Sequence, residues 1–416
     1  MGFPKGGLQG SPVCNVRDYG AVGDGVADDT AAIQAAIDVR TAPVYVPSGD
    51  YLISSGLTLY DGSRIIGVSP SWGYGGSPDS ATRARLFLAT DATAPLITAT
   101  DTAAHMTIEN LYLDGNGVAQ HVIKFPATSS FHDYFSDVKG CYIVNVGSSV
   151  YGLYGGNDTG SVYVSHCRFY QGTSTGGSGV YFSTSSGFVI NTLFNGFITS
   201  GQYAVYNLGG YNNRYINCDF GVNSVALRND TQECLILGCF FDRNHGEAIL
   251  VNSSGTQIIG SQFHSNSQSA NNGSPDITIA TGLSDIVIVG NYFGPLDGGI
   301  ANKASYGYYV NGTTIVSAYG NIIAPNSREE GLTQYTGIQT APTVPASGTA
   351  LANPFGQPCT VYVSAASGAT AGVAVGGTTL VTTVAGGNAQ VYVGTHDSIT
   401  LTYTTAPTWA WVADHN

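Results

Sequence analysis

HCRF (166–169), NTLF (191–194), NCDF (217–220), GCFF (238–241), GSQF (260–263) and GNYF (290–293) are six versions of one four-residue unit. NLYL (110–113), GCYI (140–143) and GNII (320–323) extend the series at its two ends. Each unit closes on a large apolar anchor: Leu113, Ile143, Phe169, Phe194, Phe220, Phe241, Phe263, Phe293 and Ile323. The anchors are 30, 26, 25, 26, 21, 22, 30 and 30 residues apart, about 26 on average. A period of roughly 20–30 residues that carries short strands fits the rungs of a parallel β-solenoid. Propeller blades need about 40 residues, and a leucine-rich repeat needs an LxxLxL pattern that is missing.

Side chains alternate faces along a strand, so an inward anchor implies an inward residue two positions earlier. That column reads Leu111, Cys141, Cys167, Thr192, Cys218, Cys239, Ser261, Asn291 and Asn321. Four of the seven cysteines stand in it, which marks them as buried thiols filling a narrow core. With an odd cysteine count and no CxxC or Cys/His ligand spacing, neither a complete disulfide framework nor a zinc site is expected. The positions just before, just after and three before each anchor are expected to face outward.

Charged residues make up 10% of the 416-residue chain and Gly is 56 of it, while 43% is hydrophobic. Such a chain buries a large core and is not disordered. The net charge of −13, with 14 Lys and Arg scattered along the chain, excludes a basic nucleic-acid footprint. No run of 18 apolar residues exists, so no transmembrane helix is expected, and MGFPKGG (1–7) lacks the apolar core of a signal peptide. One helix stands out, DDTAAIQAAIDV (28–39), with Asp28 or Asp29 as its cap and Ala32, Ile33, Ala36 and Ile37 as its apolar stripe. Residues 326–350 read as a linker, and 351–416 as a small sandwich of about six or seven alternating strands.

The string VRDYGAVGDGVADDTAAIQAAIDVRTAPVYVPSGDYLIS (16–54) resembles the N-terminal signature of the pectate-lyase-like superfamily. The resemblance implies an all-β chain. A right-handed parallel β-helix over residues 1–325 has a short capping helix within its first turns (about 14–70), and a C-terminal β-sandwich follows. The NPFG (353–356) and APTWAW (406–411) segments resemble the terminal domain of minor tail proteins from actinobacterial phages. Together the two resemblances imply a phage tailspike or minor tail protein. Its expected location is extracellular, on a virion tail, and its expected partners are a surface polysaccharide, further copies in a homotrimer, and other tail proteins. Membrane and nucleic acid are not expected.

The outward positions between rungs 168 and 264 are rich in Tyr, Asn, Asp, Arg and His, the side chains that contact pyranose rings and hydroxyls. Arg168, Tyr170, Asn195, Asn217, Arg243, His245 and His264 are therefore candidate substrate-binding residues. Asp219 and Asp242 fall on adjacent rungs, one column apart, with Cα atoms about 8 Å from each other. They are the candidate acid/base pair of a glycoside hydrolase, with Glu247 in reserve. Their carboxyl separation, about 5 to 9 Å, spans retaining and inverting geometries. Polygalacturonases of this superfamily combine NTD, DD, GHG and RIK motifs. Here NCDF (217–220) and NHGE (244–247) are the nearest strings, so those residues do not carry over. No cofactor is expected, and Ca²⁺ enters only if the chain is a lyase, held by Asp219 and Asp242. A non-catalytic receptor-binding protein is the competing class.

Overall fold

The computed structural model describes residues 13–68, 82–100, 105–118, 120–125, 135–156, 160–171, 176–183, 186–209, 211–269, 273–294, 304, 307–311, 314, 316–323, 342–353, 359–365, 369–382, 387–394 and 397–413. Three parallel sheets wrap a common core. Sheet A has twelve described strands, from Cys14–Asn15 to Val316–Tyr319. Sheet B has twelve, from Asp24–Asp28 to Ile322–Ile323, and sheet C has ten, from Leu57–Leu59 to Tyr308–Val310. One rung runs Arg214–Ile216 in A, Asp219–Gly221 in B and Val225–Asn229 in C, then returns to Leu235–Leu237 in A. The chain is a right-handed parallel β-helix.

The four-residue repeat lies in sheet B, and every anchor pairs with the next, from Leu113 opposite Ile143 to Phe293 opposite Ile323. Phe169, Phe194, Phe220, Phe241, Phe263 and Phe293 form one internal pile. Successive ring centroids are 4.8–5.0 Å apart and the ring planes lie within 3–14° of parallel. Rung spacing in a parallel ladder is itself about 4.8 Å, so identical rings stack without any side chain leaving its rotamer. The column two residues earlier is internal as expected. Cys141, Cys167, Cys218 and Cys239 are at most 2% exposed and free, and Cys218 Sγ donates to the Val189 carbonyl at 3.3 Å.

The column three before the anchor is exposed or half-exposed as expected, but it lies at a corner rather than on a strand. Asn110, Gly140, His166, Asn191, Asn217, Gly238, Gly260, Gly290 and Gly320 all have φ between 49 and 64°. They are the left-handed corner between sheets A and B, a conformation that only Gly, or a short polar residue such as Asn, adopts readily. Their identity answers to the left-handed backbone as well as to their place on the surface.

Helix α1 (Thr30–Asp38) covers the first turns with Ile33, Ala36 and Ile37 buried. Asp28 accepts from the Thr30 N–H at 3.1 Å, while Asp29 turns back to the Val22 and Gly23 N–H groups. Two antiparallel sheets of four and three strands follow, from Ala350–Ala352 to Thr408–Ala413, around a core that includes Val361, Val373, Leu401 and Trp411. The segment from Pro342 joins this unit: its carbonyl accepts from Trp409 Nε1 at 2.6 Å, and Trp409 and Trp411 pack edge to face. Residues 324–341, most of the expected linker, lie outside the described residues.

Candidate functional site

Strands of sheet B are only three residues long through the middle rungs, so each offers two outward side chains flanking one anchor. The column before the anchor brings Tyr142, Arg168, Leu193, Asp219, Phe240, Gln262 and Tyr292 into register. The column after it brings Val144, Tyr170, Asn195, Gly221, Asp242 and His264. Asp219 pairs with Phe240, and Gly221 with Asp242. The two aspartates are thus diagonal neighbours on adjacent strands, as the rung arithmetic requires.

Their surroundings separate them chemically. Burial, and then the nearby Asp242 carboxylate, push the Asp219 carboxyl up to about 6, with Arg168 pulling the other way. Asp242 is 6% exposed. Its Oδ2 accepts from Arg243 Nε at 2.8 Å, while its Oδ1 has no hydrogen-bond partner among the described residues. A buried carboxylate oxygen left unsatisfied costs roughly 1–3 kcal/mol, so a structure that retains one invites a functional explanation. Arg168 lies between two rings, its guanidinium carbon 5.2 Å from the Tyr142 centroid and 5.4 Å from that of Tyr170. Stacking on both sides holds a guanidinium in place while leaving its N–H groups for an acceptor. Asn195 leans over Gly221: a Cβ at 221 would stand 3.0 Å from Asn195 Nδ2. The missing side chain leaves the surface low between Asn195 and Asp242.

His264 pairs with Asp242 across the ladder, but its Nε2 faces Gln262 Oε1 at 3.2 Å and its ring lies between Phe240 and Tyr292. Arg243 takes Asp242 as its ion-pair partner rather than Glu247. Asn217 stands at the exposed A-to-B corner. His245 lies on the B-to-C turn, its N–H donating to the Asn223 carbonyl. Glu247 is moved further. Leu227 pairs with Ile249, so Glu247 falls opposite Val225 at the edge of sheet C, and the Ala226 N–H reaches its carbonyl at 3.4 Å. The structure therefore brings Arg168, Tyr170, Asn195, Asp219, Asp242, Arg243 and His264 onto one face, and sets Asn217, His245 and Glu247 on the corners and the neighbouring sheet.

The intervening turn holds an internal ladder that sequence reading passed over. Asn223, Asn244 and Asn266 are fully buried. Asn244 Nδ2 donates to the Phe220 carbonyl and to Asn266 Oδ1, and Asn223 Nδ2 repeats the pattern on Phe194 and Asn244. Each amide satisfies the backbone of the rung before it, which fixes the bend just after Asp242.

A second outward face was also missed. On sheet C, Tyr154, Tyr181, Tyr206 and Arg228 form one column beside Tyr151 and Tyr203. Tyr151 and Tyr154 stack on Tyr181 at 4.6 and 5.3 Å. His121 stacks on Tyr154 at 4.9 Å, and Arg228 lies 4.7 Å from the Tyr206 centroid, held by Asp230. Burial, with Lys124 adding to it, pushes His121 down to about 4, so its imidazole is neutral. The signal was in the strings YGLYG (151–155), SGVYF (178–182), YAVYN (203–207) and VALRN (225–229), which place an aromatic or Arg fourth on every rung. Among the described residues, no group of three or more His, Cys, Asp and Glu side chains is arranged to hold a metal ion.

Residues 13–236, more than half of the chain, match the family described as rhamnogalacturonase A/epimerase, pectate lyase-like. The chain belongs to that family. Two curated relatives of Azotobacter vinelandii match a short stretch of the chain. Mannuronan C5-epimerase AlgE5 is 58% identical over 56 residues, and alginate lyase 7 is 54% identical over 56. Those segments are 12% of this chain and 6% of each relative. Among solved structures, tailspike protein 2 of the Escherichia coli O157:H7 bacteriophage CAB120 superposes with a TM-score of 0.61 at 16% identity, covering 98% of this chain and 69% of that one. The ORF18 protein of Geobacillus virus E2 gives a TM-score of 0.52 at 17% identity, over 94% and 76% of the two chains. At these identities the two structures share the fold with this chain.

Proposed function

We propose that this family member is a polysaccharide depolymerase that hydrolyses glycosidic bonds of a cell-surface glycan, with the catalytic pair on sheet B. The observation that carries the reading is the Asp219 carboxyl, held near 6 beside a second, almost fully buried carboxylate. A carboxyl whose proton affinity is raised in this way is suited to be the acid of such a pair. Asp219, protonated, delivers its proton to the leaving glycosidic oxygen. Asp242, ionised, either attacks the anomeric carbon or takes a proton from the attacking water. Arg168, Tyr170, Asn195 and His264 line the sugar's path. No cofactor is required. Arg243 on Asp242 and Arg168 near Asp219 make this pair a poor cation cage, so Ca²⁺ belongs only to an elimination. Tailspike-like work goes with an extracellular place on a virion tail, a homotrimer, and contacts to other tail proteins. The short stretch shared with a mannuronan epimerase and the fold shared with a tailspike protein support a glycan as partner.

The test follows reducing ends and the ultraviolet absorbance of unsaturated sugars together, on surface polysaccharides from a panel of actinobacteria. Reducing ends alone, lost in Asp219→Asn and Asp242→Asn, support hydrolysis. Full activity in both variants overturns the assignment, and binding without either signal makes the chain an adhesin.

One observation favours a second chemistry. The matched family is described as epimerase and pectate lyase-like, and on sheet C Lys124 lies over the Tyr154 ring and Arg228 over the Tyr206 ring, cations that suit a uronate carboxylate. Unsaturated products, or solvent deuterium entering the sugar without chain cleavage, would move the reaction to sheet C as elimination or epimerisation.

A further inference from the structure

Three ion pairs of the solenoid tie neighbouring rungs together: Arg83 with Asp50, Arg85 with Asp114 and Lys139 with Glu109. The pair of Arg243 with Asp242 does not. It joins two consecutive residues, so it links no rung to another and closes no loop. The Arg243 side chain is 55% exposed, against 8% for the carboxylate it meets. An ion pair so placed adds little to stability. The backbone at Arg243 points the same way. On five rungs the residue two after the anchor turns the corner out of sheet B in the left-handed conformation: Asn145 at φ 51°, Gly196 at 87°, Val222 at 56°, Arg243 at 51° and Ser265 at 47°. Gly and Asn adopt it readily, whereas Val and Arg do so at a cost. The rungs of the two aspartates are the ones whose corners hold Val222 and Arg243. Strain retained at such a place suggests a function.

The turn holds Asp242 at both ends. Arg243 Nε donates to its Oδ2 at 2.8 Å, and the Val222 N–H donates to its carbonyl at 3.0 Å. We infer that Arg243 is a positioning residue of the catalytic pair: it fixes the Asp242 carboxylate and tempers its charge beside Asp219, and it does not touch the glycan. This role rests on Asp219 and Asp242 being the acid and base, and it replaces the substrate contact expected of Arg243 from sequence. Asp219 lies between Leu193 and Phe240 on the neighbouring rungs, with Asp242 and Arg168 as the charges that act on it, and Asp242 has Gly221 and His264 beside it. Without Arg243 the Asp242 charge acts on Asp219 undiminished, and the Asp219 proton becomes harder to remove.

Arg243→Asn tests this, because Asn suits the left-handed corner. Its unfolding midpoint is expected at or above that of the wild type. On a glycan that the wild type cleaves, kcat is expected to fall about tenfold or more with KM within about twofold, and the decline of kcat/KM at about pH 6 to move upward. Arg243→Lys restores a positive charge and is expected to bring that decline back. A KM raised about tenfold with kcat unchanged makes Arg243 a glycan contact and overturns the proposal. So does a lowered midpoint with an unmoved pH profile, the mark of a purely structural role. A second measurement needs no glycan. The difference in unfolding stability between wild type and Asp219→Asn, followed against pH, reports the Asp219 carboxyl, and in an Arg243→Asn background its upper limit is expected to rise by about half a pH unit or more. No rise overturns the proposal. Full activity in Asp242→Asn fails the acid/base assignment and the role of Arg243 with it, whereas an inactive Asp242→Asn beside an unaffected Arg243→Asn fails this inference alone.

Discussion

Asp114 and Asp242 stand in the same column of sheet B, both beside a buried anchor and both almost fully buried, yet they live in opposite chemical conditions. Asp114 is saturated. Arg85 donates to its Oδ2 from Nε at 3.1 Å and Nη2 at 2.7 Å, and the Asn116 N–H and Asn145 Nδ2 donate to its Oδ1. Asp242 has one ion-pair donor, from the residue next to it, and an Oδ1 with no partner among the described residues. The first carboxylate ties three rungs together. The second is left with capacity to spare, beside a carboxyl that holds its proton to about pH 6. A buried charge that the fold satisfies is structural, and one that it leaves wanting invites a functional explanation.

The largest expected effect sharpens this contrast through activity. Asp219→Asn and Asp242→Asn should each lower kcat on the true glycan by about 10²–10⁴, the usual share of a general acid or base, while Asp114→Asn leaves kcat within a few-fold. Equal losses at 114 and 242 would break the distinction. Stability should run the other way. Asp114→Ala leaves the half-buried Arg85 guanidinium without its carboxylate and is expected to cost about 1–3 kcal/mol in denaturant unfolding, whereas Asp242→Asn removes a half-satisfied charge and should cost less.

Next comes pH. The folded Asp219 pKa of about 6 lies above the ordinary 3.8, so between those values the folded chain holds a proton that the unfolded chain releases. Its stabilising contribution is full below pH 3.8, falls as pH rises through 6, and is gone above it, a change of no more than about 3 kcal/mol. Asp219→Asn should flatten that part of the stability curve, and kcat/KM of the wild type should decline above pH 6 as the acid loses its proton. A pH-independent rate from 5 to 8 would contradict the acid's role. The smallest effect concerns the corner. Asn217→Gly preserves the left-handed conformation and should shift stability by less than about 1 kcal/mol with activity unchanged. A clear rise in KM would return Asn217 to the binding surface.

Much of the fold was readable because a solenoid repeats a local rule. The anchor Phe at its fixed place and the small residue two before it can be seen in one rung and checked in eight others. The candidate site was readable only in part. Asp219, Asp242, Arg168 and Asn195 follow from strand alternation alone. Asn217 did not, because Asn at a left-handed corner and Asn in a binding column look identical in a string. Glu247 did not, because two corner residues more or fewer decide whether a side chain belongs to sheet B or to sheet C. The Asn223–Asn244–Asn266 ladder stayed hidden inside what looked like polar loop.

Sequence alone therefore determined the solenoid, its anchor register, the buried cysteines and the diagonal of the two aspartates, since each depends on spacing that parallel pairing preserves from rung to rung. Only the tertiary structure decided which carboxylates are satisfied, which outward face is charged, aromatic or aliphatic, and where one sheet ends and the next begins. Those properties depend on residues about 20–30 positions apart meeting across a rung, and on the turns that bring them together.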